Sequence, residues 1–511
     1  MAQDQQFGFD RNTLRVLAVV VFMLIVLRRA WMCDDAFISM RVVDNFVGGY
    51  GLTFNTDERV QGFTNPLWVL LVSLPHAIAR QPYWSCVGTS LVVSLAGALI
   101  LAYRVARDGA VAALALIALA FTQAFADFST GGLENPLSHL LLIAFLAIYF
   151  VPDWRIRYAQ WAWLLAGLMF VNRLDSGLLV VPALVHLWTK LRWRRSLRLA
   201  MIGLSPIIAW ELFSLVYYGF WLPNSALAKL NVDIPKGMMI GQGLIYLVDS
   251  LERDPLTGLL IAAGITVGWM QRDWGRRMVA LGTLLQLAYV VWVAGDFMAG
   301  RFLSLPLAGA VCLLVACLPE QPERSSVVRL AGVLGALILV SPHNPFRENP
   351  RPDGVPESGV VNERDWYREN TAVLANLRRA GYKQSGWYKE GRQMADAGKV
   401  AEQHCNAGLS GLGAGPRVHI LDLAGLTDAL LAHLEYKYWP QRDVWRVAHY
   451  GRPVPRGYLE TLRTGENRIQ DPKLHEFYEK LRVVIRGPIF TAERFRIIWE
   501  LNTGVYSHLL E

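Results

Sequence analysis

Up to about Val340 the chain alternates long apolar runs with short polar loops, whereas Ser341–Glu511 has the mixed pattern of a soluble segment. The runs fall near 14–30, 86–103, 110–127, 137–151, 159–171, 177–189, 199–216, 256–270, 278–294, 302–318 and 327–341. They predict about eleven membrane helices, several of them shorter than the roughly 20 residues a perpendicular span needs. Pro66–Ala79 is shorter than a comfortable span and is read as a helix lying on the outer surface. The predicted fold class is a polytopic α-helical membrane protein with a C-terminal α/β extracytoplasmic domain, divided as 1–341 and 342–511. In the tail, Ser341–Pro356 reads as a linker, Arg364–Arg379 and Leu426–Tyr436 as helices, and Arg417–Leu423 and Leu481–Ile485 as strands.

Charge fixes the orientation. Only 18% of the 511 residues are charged and 53% are hydrophobic, against about a quarter charged in soluble domains. The net charge of +8 sits mostly beside apolar runs, as membrane topology requires, so nucleic acid is discounted as a partner. Arg11 and Arg15, Arg104 and Arg107, Arg155 and Arg157, the cluster Lys190–Arg198, Arg272 with Arg276 and Arg277, and Arg324 with Arg329 all fall in alternate loops. Those loops are predicted to be cytoplasmic, with the other loops and the tail on the periplasmic side of a bacterial inner membrane. Arg28 and Arg29 oppose this pattern and are read as snorkelling to headgroups. Leu14–Leu27 reads as a retained signal anchor. Cys33 and Cys405 would share the outer side, although sequence alone does not establish a disulfide between them.

With this parity, the outward loops gather the polar chemistry. The first holds Asp34, Asp35, Arg41 and Asn65; the next hold Glu134, then Arg173 with Asp175, then Asn224 and Lys229, then Asp296 and Arg301. Adjacent carboxylates at a helix end are costly near hydrocarbon and point to a site, the alternative being an interfacial anchor. Carboxylates to accept a proton, cations to hold an anion and aromatic walls suit transfer of a group from a lipid-linked phosphate. Asp34 or Asp35 is the predicted general base, with Arg41, Arg173, Lys229 and Arg301 for the donor phosphate. Asn65, Glu134, Asp175, Asn224 and Asp296 are predicted substrate contacts, and Asp422, Asp428, His449 and Arg452 acceptor contacts in the tail. Trp439 and Trp445 are read as core residues or sugar-stacking platforms. Competing classes are a transporter or lipid flippase and a non-catalytic envelope or flagellar accessory protein.

The motifs Asp-Asp-Ala-Phe-Ile-Ser at 34–39, Gly-Phe-Thr-Asn at 62–65, Gly-Leu-Glu at 132–134, Leu-Pro-Asn-Ser at 222–225 with Lys229, and Gly-Asp-Phe-Met at 295–298 occur in that order. Leu421–Asp428 and His449–Pro455 continue the series. Together they resemble the polytopic GT-C glycosyltransferases, in particular the terminal β-(1→2)-arabinofuranosyltransferase family and its bacterial relatives, some known as flagellar motor control proteins. The resemblance implies an inverting enzyme with a polyprenyl-phosphate sugar as donor, a pentofuranose as the sugar, and an acceptor glycan, glycolipid or surface protein. It places the base on the Asp pair and favours Asp34. The chain departs from the family at Arg173-Leu-Asp-Ser176, at Gln61 and at Ala299. No cofactor is implied, and a divalent metal stays open.

Overall fold

The computed structural model describes residues 11–151, 156–378, 381–404, 406–437 and 446–510. Arg155, Arg379, Cys405, Trp439 and Trp445, and any Cys33–Cys405 bond, lie outside them. The described chain is mainly helical. Pro82–Val105 is the one described helix long and apolar enough to cross a membrane alone, and up to three spans result if each of two bent helix pairs counts as one. Most other apolar runs form helices of 10–17 residues, which at about 1.5 Å per residue fall short of hydrocarbon thickness. The run at 110–127 is divided into Gly109–Ala120 and Gln123–Phe128, and the run at 199–216 breaks at Leu204.

The chain groups into two compact units, each assembled from three segments. The first comprises Met1–Trp31, Val87–Ile207 and Lys236–Arg368; the second comprises Met32–Cys86, Ile208–Pro235 and Glu369–Glu511. The division therefore does not follow a single cut near residue 341, because residues 342–368 pack with the first unit. The reason is electrostatic. Arg29 donates Nε and Nη2 to the two carboxylate oxygens of Asp127 at 2.7 and 2.8 Å, and Arg364 donates to the Arg29 carbonyl and to Glu348. Arg28 donates to the carbonyls of Pro345 and Phe346. The two arginines that break the charge pattern thus bind protein groups instead of snorkelling.

In the second unit, a core of Leu421, Leu430, Tyr458, Phe477, Leu481 and Ile485 is closed by Val60, more than 350 positions earlier. The predicted strand Leu481–Ile485 is instead part of the helix Pro472–Arg486, whose Phe477, Tyr478, Leu481, Val484 and Ile485 form one buried face. Among the described residues, sheet is confined to two short parallel pairs, Ala401–His404 with His419–Asp422 and Val232–Asp233 with Tyr436–Lys437. Helix Pro66–Ala79 buries Trp68, Val69, Val72 and His76 and turns Leu74 and Ile78 outward.

Candidate functional site

Asp34 and Asp35 open the helix Asp34–Val47; they do not close the preceding one. Asp34 is buried and accepts the N–H of Leu409 on Oδ1 at 2.8 Å and that of Gly408 on Oδ2 at 3.1 Å. These amides belong to the first turn of helix Ala407–Ala414, where unsatisfied N–H groups and the helix dipole favour an anion. Only glycine fits at 408, since a Cβ there would strike the Asp34 backbone carbonyl. Burial pushes the Asp34 carboxyl up to about 6, against the Leu409 amide and with help from the Asp35 charge. Asp34 is therefore a clamped, poised carboxylate.

Asp35 is only partly buried. It shares its electrostatic surroundings with His449, Lys229 and Arg446 and lies within range of Asp422. His449 keeps an exposed surface and is held below the ordinary imidazole range by local desolvation, Arg446 and Lys229 adding to the shift and Asp35 opposing it. Ala448, between these two tail residues, adopts a left-handed conformation at φ 64°, which costs a non-glycine residue energy and is common where a turn serves a site. Asp35 and Lys229 thus both lie within electrostatic range of His449. Arg446 was missed. Its signal was its position three residues before the quoted His-Tyr-Gly-Arg segment.

Other predicted contacts prove to be internal struts. Arg41 is buried against the Phe54 ring at 4.4 Å and donates to the carbonyls of Phe54, Gly411 and Val418, so its donors are spent on backbone. Asp422 accepts N–H groups of Ala424, Leu426 and Thr427 and organises that turn. Asp428 caps helix Ala429–His433 and accepts the Tyr458 hydroxyl at 2.9 Å. Asn224 donates to three carbonyls of the 425–428 turn. Arg452 does the same for five backbone carbonyls. These groups shape the second unit through bonds within the protein. Asn65 is buried at the start of helix Pro66–Ala79.

The first unit holds a separate cluster. Glu134 Oε1 receives Arg173 Nη1 at 2.9 Å and Arg301 Nη2 at 3.2 Å. Arg173 Nε also meets Asp175 at 2.7 Å, and Arg301 Nη1 meets Asp296 at 3.4 Å. The Phe302 ring lies under both guanidinium groups. Burial opposes the charge on Glu134, yet Arg301 and Arg173 outweigh it and hold the carboxyl at about 2. Two cations face three carboxylates, so the cluster is already compensated, and a phosphate entering here would have to displace an internal partner. The predicted donor role of Arg173 and Arg301 is not favoured by this geometry. Among the described residues, no group of three or more His, Cys, Asp or Glu side chains is arranged to hold a metal ion.

Apolar helices with a membrane-crossing segment and a partly buried acid–base cluster define the class as a helical membrane protein. In sequence, the chain is 27% identical over 503 residues to the terminal β-(1→2)-arabinofuranosyltransferase of Mycobacterium tuberculosis, covering 80% of this chain and 79% of the relative. It is 29% identical over 338 residues to the same-named protein of Corynebacterium glutamicum, covering 57% of this chain and 48% of that one. The resemblance to terminal β-(1→2)-arabinofuranosyltransferases read from the motifs is borne out by these relatives. No protein-family model matches. Among solved structures the chain is similar to ArnT from Cupriavidus metallidurans bound to undecaprenyl phosphate, with TM-score 0.46 and 14% identity over 83% of this chain and 77% of that one. It is also similar to the archaeal oligosaccharyltransferase AglB from Archaeoglobus fulgidus, with TM-score 0.43 and 10% identity over 75% of this chain and 58% of that one.

Proposed function

We propose that this chain is an inverting glycosyltransferase that moves a pentofuranose, such as arabinofuranose, from a polyprenyl phosphate to a hydroxyl of an extracytoplasmic glycan, glycolipid or surface protein. The observation that carries this reading is the Asp34–Asp35 pair, one carboxylate clamped by helix amides and the other partly exposed within electrostatic range of His449, in a relative of arabinofuranosyltransferases. Asp35 is the base and Asp34 the positioning residue. This reverses the preference for Asp34, because both Asp34 oxygens are committed to backbone donors.

Asp35 takes the proton of the acceptor hydroxyl as its oxygen attacks the anomeric carbon. The bond from that carbon to the phosphate oxygen breaks on the opposite face, so a single displacement inverts the configuration. The leaving polyprenyl phosphate gains charge, which Lys229 and Arg446 are suited to stabilise by charge-assisted hydrogen bonds. The roughly eleven spans, the inner-membrane setting and an outward-facing site belong to the same proposal and rest on the basic-loop pattern. The test is to supply purified protein with a panel of polyprenyl-phosphate sugars and a furanoside acceptor. Glycoside and polyprenyl phosphate should appear in equal amounts; product from nucleotide sugars alone would overturn the reading.

A further inference from the structure

The first unit has a second charged feature that the transfer reaction does not use. A cavity of about 330 Å³ is lined by Arg104, Arg107, Arg276 and Tyr158 together with the apolar Phe150 and Leu318. It lies at the Leu101–Val105 end of Pro82–Val105, the described helix that can cross a membrane alone. A bilayer crossed by this helix would place the cavity where hydrocarbon gives way to headgroups. That last turn is a π-helix, closed by the Ala106 N–H on the Leu101 carbonyl at 2.8 Å; such widened turns recur at functional sites.

Among the described residues, the acids near the cavity already have partners. Asp108 accepts the N–H groups of Ala110 and Val111 as a helix cap and lies 3.8 Å from Arg11 Nε. Glu320 is paired with Arg107, and Asp273 caps the helix Trp274–Trp292 through the N–H of Arg276. Arg276 Nη2 donates to the Ala316 carbonyl, a neutral partner, at 3.0 Å. Arg104 is exposed and has no hydrogen bond or ion pair among the described residues. Arg15 adds another cation at the rim, donating to the Arg107 carbonyl and stacking on Tyr103.

We propose that this cavity binds the phosphate headgroup of an anionic phospholipid, with Arg104 and Arg276 as its donors and the apolar wall receiving the first acyl carbons. Basic pockets between helices at the membrane boundary recognise such headgroups, and guanidinium groups match phosphate oxygens geometrically. The site is independent of the sugar transfer and does not depend on which membrane face it occupies.

Native mass spectrometry of the full-length protein, with added dioleoylphosphatidylglycerol or dioleoylphosphatidylcholine, reads the preference directly. The wild type should retain the anionic lipid about tenfold better. Arg104→Gln should lose most of that preference, and Arg104→Lys should keep part of it. Because Arg104 is exposed and has no partner among the described residues, the unfolding midpoint of Arg104→Gln in phosphatidylcholine should match the wild type. An unchanged preference in Arg104→Gln would overturn the proposal. So would displacement of the lipid by millimolar inorganic phosphate, which would make the cavity a small-anion site.

Discussion

The two acidic clusters use the same residue types to opposite ends. In the first unit Glu134, Asp175 and Asp296 face Arg173 and Arg301, and every charge is spent on another side chain. In the second, Asp34 is held by two backbone amides, while Asp35 stays partly exposed within electrostatic range of His449. Side-chain ion pairs lock a fold but consume the charges. Backbone amides hold a carboxylate in place without neutralising its neighbours, which keep their charges.

The sharpest structural break is Glu134→Gln. It removes the carboxylate that two arginines share; Asp175 and Asp296 still pair with one arginine each, so the cost stays below the roughly 3–5 kcal/mol typical of a fully stranded buried charge. The expected result is a large fall in the thermal midpoint of detergent-purified protein, larger than for any single change in the second cluster. A midpoint within a degree of wild type would show that the first cluster is not a lock.

A smaller effect depends on pH. Burial raises Asp422 to about 6 from an ordinary carboxylate value, so its stabilising contribution is complete below the unfolded value near 4 and is lost as pH rises through about 6. The shift corresponds to about 3 kcal/mol at most. Asp422→Asn should therefore gain on the wild type between pH 4 and 6.5, as read from paired unfolding midpoints. A pH-independent difference would mean that the turn amides, not burial, dominate Asp422.

The smallest effect belongs to an exposed pair. Arg392 meets Asp396 one helical turn away, at 2.9 Å, with both side chains more than half exposed. Arg392→Gln should cost under about 0.5 kcal/mol, and a cost near that of Glu134→Gln would erase the contrast drawn between buried and surface pairs.

Much of this was legible along the chain, and the failures have physical causes. Asp34 and Asp35 stood out because two carboxylates follow an apolar run, and Lys229 and His449 because they sit in motif segments. The clamp on Asp34 was invisible, since its donors are backbone N–H groups 374 and 375 positions away and an amide has no side-chain signature. Glu134, Arg173 and Arg301 were recognisable as loop charges, but their mutual neutralisation depends on tertiary approach. Asp127, one acid in an apolar stretch, was the available hint that Arg29 has an internal partner. Leu481–Ile485 was read as a strand because a five-residue apolar run cannot by itself separate strand from buried helix; the spacing of Phe477 and Tyr478 with Leu481, Val484 and Ile485 carries the helical period.

The central claim is that Asp35 performs the chemistry and Asp34 positions it. Turnover of wild type, Asp35→Asn and Asp34→Asn should be measured side by side with one polyprenyl-phosphate sugar donor, each preparation first matched for unfolding midpoint. Asp35→Asn should stay folded and lose about 10²–10⁴-fold in rate, while Asp34→Asn should lose less and shift the pH profile. Wild-type turnover in Asp35→Asn, with the larger loss in Asp34→Asn, would contradict the assignment.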